Sequence, residues 1–171
     1  MNRNYAYNEE DKGFEQLTEF NNVLKLIDLG RTPKDHTSDA SGYTTDGRYL
    51  NIEIKRRNQI LTPDLKISAT TRFNKEYTGD TIYIETHKVG DLLLDYVCFG
   101  YIPIYINFLS DGNVVVFNLS TLKSRPKKTV KKIYSELYQS FELSKRQELP
   151  LSEAFIYKKD ENNVYKLIYR P

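Results

Sequence analysis

The 171-residue chain has no tryptophan, one cysteine, one methionine and two histidines. With Cys98 alone, an internal disulfide is impossible, which excludes a disulfide scaffold and fits a reducing compartment. The apolar run around Cys98 predicts a buried thiol. No Cys/His spacing of a zinc site, glycine-rich phosphate loop or Ser/His/Asp elbow is present.

Long hydrophobic runs are also missing. The most apolar stretch, 92–109, is interrupted by Asp95, Gly100, Pro103 and Asn107, so it predicts a short helix followed by a buried strand and not a membrane span. Residues 1–11 are polar and lack the apolar segment of a signal peptide, so we expect a cytoplasmic protein without membrane contacts.

What the chain does contain is typical of a globular domain. Apolar residues make up 39%, with 14 tyrosines and 8 phenylalanines, and the net charge is only +2. The length predicts a single domain over 1–171 with a sizeable core. A charge so close to balance does not by itself indicate nucleic acid, so the distribution of charge matters more.

The most informative stretch spans residues 38–55. Apolar and polar residues alternate after Tyr49, and the period of a strand places three polar side chains on one face: Asn51, Glu53 and Lys55. Asp46-Gly47 predicts a hairpin before this strand, since both residues tolerate the positive φ of a type I′ turn. If Asp39 begins the strand that pairs back across the turn, its carboxylate lies near Glu53.

Two carboxylates and a lysine on one face suit phosphodiester chemistry. Carboxylate oxygens are suitable ligands for Mg²⁺, which can activate water and neutralise charge on a phosphorane. A lysine there can hold the attacking water or stabilise the developing charge. The alternative is a solvated strand face that carries an ordinary Glu/Lys pair.

The segment resembles the PD-(D/E)xK nuclease superfamily, which includes restriction endonucleases, phage exonucleases and archaeal-type Holliday junction resolvases. The match is Asp39 followed by Glu53-Ile54-Lys55, with Ser38 where the family has proline. The resemblance implies that Asp39, Glu53 and the Ile54 carbonyl bind Mg²⁺, with Mn²⁺ as a substitute, and that Lys55 serves the nucleophilic water. Asp46 is the rival for the first acid, although turn chemistry alone explains it.

The resemblance extends upstream and downstream over about residues 12–122. A helix is predicted from Gly13 to near Gly30, and the family's helix-borne glutamate would correspond to Glu15, with Glu19 more simply explained as a solvated acid. The implied fold is α/β: a restriction-endonuclease-like core with a central mixed sheet flanked by helices. Hairpins are predicted over 103–119 and 153–169, and a helix over 129–146, so residues 123–171 add a C-terminal helix and hairpin.

Basic residues form two clusters that are typical of phosphate contacts. One follows the proposed site directly, and the other falls within 123–132, where a solvated basic helix start is the alternative. Residues 58–76 are expected to form a mobile segment that could embrace DNA. The candidate nucleic-acid-binding residues are Arg56, Arg57, Lys127, Lys128, Lys131 and Lys132.

The predicted function is Mg²⁺-dependent endonucleolytic cleavage of DNA, including branched DNA, in a resolvase-like or phage replication and recombination role. A phage-encoded chain would act in the host cytoplasm. A homodimer is expected because two strands must be cut, with Tyr157, Tyr165 and Tyr169 as its surface. The rivals are a sequence-specific restriction-type endonuclease and a catalytically silent nucleic-acid-binding or protein-binding module. The residues do not decide between DNA and RNA.

Overall fold

A computed structural model describes residues 3–33, 36–70, 76–124, 126–135 and 140–171. Its two helices are α1 (Arg3–Leu24) and α2 (Thr86–Phe99), and short 3-10 turns cover Leu119–Thr121 and Leu151–Glu153. The strands are β1 (Leu26–Arg31), β2 (Ala40–Thr44), β3 (Tyr49–Arg57), β4 (Ile60–Leu61), β5 (Ile67–Thr70), β6 (Glu76–Gly79), β7 (Thr81–Glu85), β8 (Ile102–Leu109), β9 (Asn113–Asn118), β10 (Lys127–Ser135), β11 (Ser140–Pro150), β12 (Phe155–Lys159) and β13 (Tyr165–Tyr169).

A seven-stranded mixed sheet organises the fold, in the order β1-β2-β3-β8-β9-β12-β13. Its neighbouring strands are antiparallel except for β3 and β8, which run parallel with Glu53 opposite Tyr105. A parallel pair needs a long crossover, and β4 to α2 supply it. The predicted α/β fold with a central mixed sheet flanked by helices is confirmed.

One face of the sheet packs against α1. Leu17 and Phe20 are fully buried there against strand residues such as Ile52. The Phe20 ring makes edge-to-face contacts with Tyr157 and Tyr165, at centroid distances of 5.1 and 5.0 Å. These two tyrosines therefore pack against the core. Their rings are only partly accessible to the dimer surface that was predicted at this end of the chain.

The other face packs against α2 and two smaller sheets, β10-β11-β7 and β4-β5-β6. Its core contains Ile84, Leu92, Tyr105 and Phe117. The polar side chains of β3 point toward this covered face, where Asn51 and Glu53 are fully buried and Lys55 stays partly exposed.

The first helix ends earlier than predicted. Leu24 is its last residue, Lys25 adopts a left-handed φ of 54°, and its N–H donates to the Asn21 carbonyl at 2.7 Å. The Asn21 side chain also accepts from the Leu26 N–H and donates to the Leu26 carbonyl, at 2.9 and 3.1 Å. This local cap ends the helix, so the prediction of a stop near Gly30 was wrong.

The helix predicted over 129–146 is also wrong, because β10 and β11 form an antiparallel hairpin there. Threonine, valine, isoleucine and tyrosine populate β10 and favour strands. Residues 146–150 of β11 further pair with β7, with Arg146 opposite Glu85. That pairing stabilises a strand more than the helical spacing of apolar residues favours a helix. Two of those apolar residues, Leu137 and Tyr138, lie outside the described residues.

The predicted hairpins over 103–119 and 153–169 are confirmed as β8-β9 and β12-β13. The expected mobile segment 58–76 instead contains β4, β5 and the start of β6, which form a small antiparallel sheet; residues 71–75 lie outside the described ones. Cys98 is exposed and not buried. No helix among the described residues is long and apolar enough to cross a membrane.

Candidate active site

The site is centred on Glu53 in the middle of β3. Its side chain is 0% exposed, and Lys55, two residues along the same face, places its Nζ 3.1 Å from Glu53 Oε1. The shared direction predicted from period-2 alternation is therefore observed. Complete burial excludes the alternative of a solvated Glu/Lys pair, because a carboxylate is enclosed only where other groups compensate its charge.

Asp39 lies directly before β2 and faces β3. Its N–H donates to the Ile52 carbonyl at 3.0 Å, and its Oδ2 accepts the Ile54 N–H at 2.7 Å. The carboxylate is thereby fixed beside Glu53. The structure thus brings Asp39, Glu53, Ile54 and Lys55 together, as the hairpin argument required.

Asp46 lies at the other end of the hairpin. The turn differs from the predicted type I′ geometry, since Gly47 has a φ of 83° while Asp46 stays outside the left-handed region. The exposed Asp46 carboxylate pairs with Arg48 at 2.8 Å, and hydrogen bonds from Thr44 and Arg48 lower its pKa. Glu53 lies four residue steps beyond Tyr49 along β3, about 13 Å at roughly 3.3 Å per residue, so Asp46, in the turn before Tyr49, is remote from the site.

A second lysine, which the sequence analysis missed, reaches Glu53 from α2. Lys88 Nζ lies 3.0 Å from Glu53 Oε2 and donates to the Thr37 carbonyl at 3.3 Å. One feature of the sequence could have indicated Lys88. It is a cation in the first turn of α2, a turn that contains no acid, whereas the helix dipole favours acids at that position.

Burial raises the pKa of Glu53, and repulsion from Asp39 adds to this, although Lys55 and Lys88 act in the opposite direction. Burial disfavours the charged form of Lys55, but attraction to Glu53 and Glu85 outweighs it and raises the pKa of Lys55. Glu85, at the end of β7, is a further acid that sequence reasoning did not assign. Burial opposes its ionisation, but Lys55 and then Arg57 and Arg146 lower the pKa of Glu85.

The loop that carries Asp39 is anchored by α2. Asp95 Oδ2 accepts a hydrogen bond from Thr37 Oγ1 at 2.7 Å and another from Asn51 Nδ2 at 2.8 Å. One carboxylate thus ties the loop, β3 and α2 together. A cleft of about 750 Å³ opens beside this junction. Its lining includes Asp39, Lys55, Lys88, Arg31, Arg56 and His36.

Of the other predicted site residues, Arg56 lines the cleft and Glu15, Glu19 and Arg57 do not. Glu15 is exposed on α1 and does not line the cleft, whereas Glu10 and Asp11 of the same helix do. Glu19 pairs with Lys159 at 2.8 Å. Arg57 is directed inward, where its Nε donates to Asn107 Oδ1 at 2.6 Å and its guanidinium contacts the Tyr105 hydroxyl. Arg56 lines the cleft, and its Nε donates to Gln16.

The basic cluster predicted over 123–132 lies largely on β10. Lys127 and Lys128 are exposed, and the backbone of Lys131 and Lys132 continues the strand while their side chains lie outside the described residues. Thr129 of β10 is opposite Arg146 of β11, which is opposite Glu85. Two strand spacings, about 10 Å, thus separate β10 from the edge of the site.

The oxygen atoms of the site are suited to a divalent cation. Both buried oxygens of Glu53 lack a hydrogen bond of good geometry, as does Glu85 Oε2, even though two ammonium groups lie close to Glu53. Oxygen atoms of this kind, with Asp39 alongside, fit Mg²⁺, which typically takes one or two carboxylates and keeps several waters. Among the described residues, no group of three or more His, Cys, Asp or Glu side chains forms a denser metal cluster.

Fold and site together define an α/β protein with a buried acid–lysine centre on an interior strand of a mixed sheet. No protein-family model matches the chain, and no curated protein matches it. Among solved structures, the chain is similar to Hjc of Archaeoglobus fulgidus, a Holliday junction resolvase from an archaeal hyperthermophile. The identity is 13%, with 81% of this chain and 84% of that chain covered and a TM-score of 0.46.

Proposed function

We propose that this chain is a Mg²⁺-dependent endonuclease that hydrolyses DNA phosphodiester bonds. The observation that carries the proposal is the fully buried Glu53 carboxylate, with Asp39 beside it and Lys55 Nζ at 3.1 Å. A fully buried carboxylate held between two ammonium groups is costly to keep in a fold, and such costs are concentrated at functional sites.

Asp39, Glu53 and the Ile54 carbonyl are the residues that would hold the metal ion. When bound, a divalent cation supplies an activated water and neutralises charge on the phosphate. Asp39 is suited to this position because the Ile54 N–H fixes its Oδ2 and leaves the carboxylate against β3. Asp46, exposed and paired with Arg48, has no comparable position.

Lys55 acts as a fixed positive charge. Its pKa is raised by the carboxylates of Glu53 and Glu85, against the effect of burial, so its Nζ remains protonated at neutral pH. A protonated amine cannot accept a proton from water, but it can donate hydrogen bonds to the attacking water and to a phosphate oxygen. We therefore assign Lys55 to orientation and charge stabilisation, not to general base catalysis.

Cations around the cleft and on β10 suit contacts with the DNA backbone. Arg31, Arg56 and Lys88 line the cleft, and Lys127 and Lys128 are exposed on the neighbouring sheet. Such residues supply affinity without reading base sequence. We infer a preference for DNA shape, and branched DNA in a resolvase-like role is the substrate we favour.

A cleavage assay tests the proposal. Supercoiled, linear, single-stranded and four-way-junction DNA, with RNA for comparison, are incubated with and without Mg²⁺, using wild type, Glu53→Gln and Lys55→Met. Metal-dependent cleavage by wild type, reduced at least about a hundredfold in both variants, is expected. Lys66→Gln is the matched control, because Lys66 pairs with exposed Asp64 in the turn between β4 and β5. Wild-type turnover in Glu53→Gln would refute the assignment.

A catalytically silent DNA-binding module is the second candidate. It is favoured by one observation: each oxygen of Glu53 already has a lysine ammonium at 3.0–3.1 Å. Such a module would bind the same DNA substrates equally well without Mg²⁺ and cleave none of them. Cleavage by wild type that disappears in Glu53→Gln would rule it out.

A further inference from the structure

The carboxylate of Glu53 has two lysine partners, and they are held differently. Lys55 comes from the same strand and is attracted by both Glu53 and Glu85. Lys88 comes from α2, and within the described residues its polar contacts are Glu53 Oε2 at 3.0 Å and the Thr37 backbone carbonyl at 3.3 Å. Of the two, Lys88 loses fewer charge interactions when it leaves Glu53.

The position of Lys88 in α2 also favours its release from Glu53. It lies in the first turn of α2, where the partial positive charge of the helix N-terminus disfavours a cation. Among the described residues, Glu53 is therefore the charged group that holds the Lys88 ammonium in place, together with the Thr37 carbonyl. The side chain is 23% exposed and lines the cleft, so it can swing toward solvent without disturbing the core.

Charge balance makes the two lysines and a divalent cation competitors. Glu53, Asp39 and Glu85 carry three negative charges when ionised, and Lys55, Lys88, Arg57 and Arg146 carry four positive charges around them. A divalent cation added to this set would face two ammonium groups close to the Glu53 oxygens. One of them must leave the Glu53 oxygens, or the metal binds weakly.

We propose that Lys88 is a displaceable counter-ion, which occupies Glu53 Oε2 in the absence of metal, competes with the divalent cation for it, and moves to a DNA phosphate when displaced. The proposal rests on the proposed function, since it concerns the same carboxylate. It explains why a carboxylate suited to a metal has both oxygens beside ammonium groups.

Metal affinity without DNA tests the competition. Mn²⁺ titration followed by electron paramagnetic resonance is carried out on wild type, Lys88→Gln, Lys88→Arg and the control Lys66→Gln, with thermal unfolding to verify folding. Lys88→Gln should bind Mn²⁺ at least about tenfold more tightly than wild type, because the competing charge is gone. Lys88→Arg and Lys66→Gln should resemble wild type. Equal or weaker binding by Lys88→Gln would overturn the proposal.

A measurement on wild type guards against misfolding of the variant. Acylation of lysines by an amine-reactive reagent, read by mass spectrometry, should become faster at Lys88 when Mg²⁺ is saturating, while the rate at Lys66 stays constant. Unchanged protection of Lys88 in saturating Mg²⁺ would contradict displacement.

The DNA step has its own readout. With Ca²⁺ present in place of Mg²⁺ to limit cleavage, Lys88→Gln should bind DNA more weakly, and its salt slope should flatten by about one unit for the lost phosphate contact. Binding and slope equal to those of wild type would remove the phosphate contact from the proposal.

Glu53→Gln separates this proposal from the proposed function. If Glu53→Gln abolishes Mn²⁺ binding while Lys88→Gln leaves it unchanged, only the counter-ion proposal fails. If Glu53→Gln binds Mn²⁺ like wild type, the metal site of the proposed function fails, and the counter-ion proposal fails with it.

Discussion

At the residue scale, the chemistry depends on how Glu53 is kept in the interior. An isolated buried carboxylate would take up a proton, because the cost of desolvating the charge exceeds the cost of neutralising it. Here two ammonium groups at 3.0 and 3.1 Å favour the charged form, while Asp39 and burial oppose it. The balance leaves the pKa of Glu53 above its ordinary value, so protonation of this residue is coupled to folding.

The first prediction concerns that coupling. Because the pKa of Glu53 is higher in the folded chain than its ordinary 4.5, folding takes up a proton between the two values. The resulting stability is fully present below 4.5 and is lost as the pH rises through the folded pKa, by about 1.4 kcal/mol for each pH unit between them. Urea unfolding of wild type and Glu53→Gln across this range should show wild type losing stability relative to the variant. A difference that is flat with pH would contradict it.

The second prediction separates the two candidate aspartates. Asp39→Asn should lower Mg²⁺-dependent DNA cleavage at least about a hundredfold, since it weakens a metal ligand. Asp46→Asn, which removes charge only from the exposed turn, should stay within about twofold of wild type. Single-turnover cleavage of the best substrate gives both rates. The opposite ranking would transfer the ligand to the turn.

Part of the site could be predicted because it is local. The alternation after Tyr49 places Glu53 and Lys55 on one face, and the Asp46-Gly47 turn brings Asp39 back to them. Lys88 and Glu85 could not be found in this way, because α2 and β7 reach β3 only through tertiary packing. The inward direction of Arg57 likewise depends on its contacts with Asn107 and Tyr105 of β8.

At the element scale, β10 and β11 show where periodicity is ambiguous. Apolar residues at helical spacing within 129–146 fit a helix, but valine, isoleucine, threonine and tyrosine also favour strands. The edge of β7 decides the outcome, because β11 pairs with it over Thr81–Glu85. The sequence alone does not reveal that the edge of β7, about 60 residues upstream, is available for pairing with β11.

The third prediction concerns the lysines of this hairpin. Replacing Lys127, Lys128, Lys131 and Lys132 by glutamine should weaken DNA binding for all sequences alike and flatten the salt slope, by about three to four units if each lysine contacts one phosphate. Fluorescence anisotropy at several salt concentrations measures it. Lys158→Gln with Lys166→Gln, on the terminal hairpin, is the control. Unchanged binding of the fourfold variant at low salt would show that β10 is only a solvated strand.

At the scale of the whole molecule, the parallel pairing of β3 and β8 determines where the site lies. The crossover between them contains the small sheet, β7 and α2, which together cover the polar face of β3. Glu53 is buried for this reason, and the cleft remains at the end of the covered face, beside Asp39 and Lys88. In the proposed function, one such centre per chain would hydrolyse one strand at a time.

The fourth prediction follows from that count. A four-way junction has two-fold symmetry and requires two cuts, so we expect two chains, related by a two-fold axis, to act on it. Sedimentation velocity at micromolar concentration, with the protein alone and with the protein bound to a junction that cannot be cleaved, should show a dimer at least in the complex. Mixing wild type with Glu53→Gln should then yield singly nicked junctions, because only one of the two centres is active. A monomer in both conditions, with full resolution by the mixture, would remove the dimer and with it the reason to prefer junctions over simple duplex DNA.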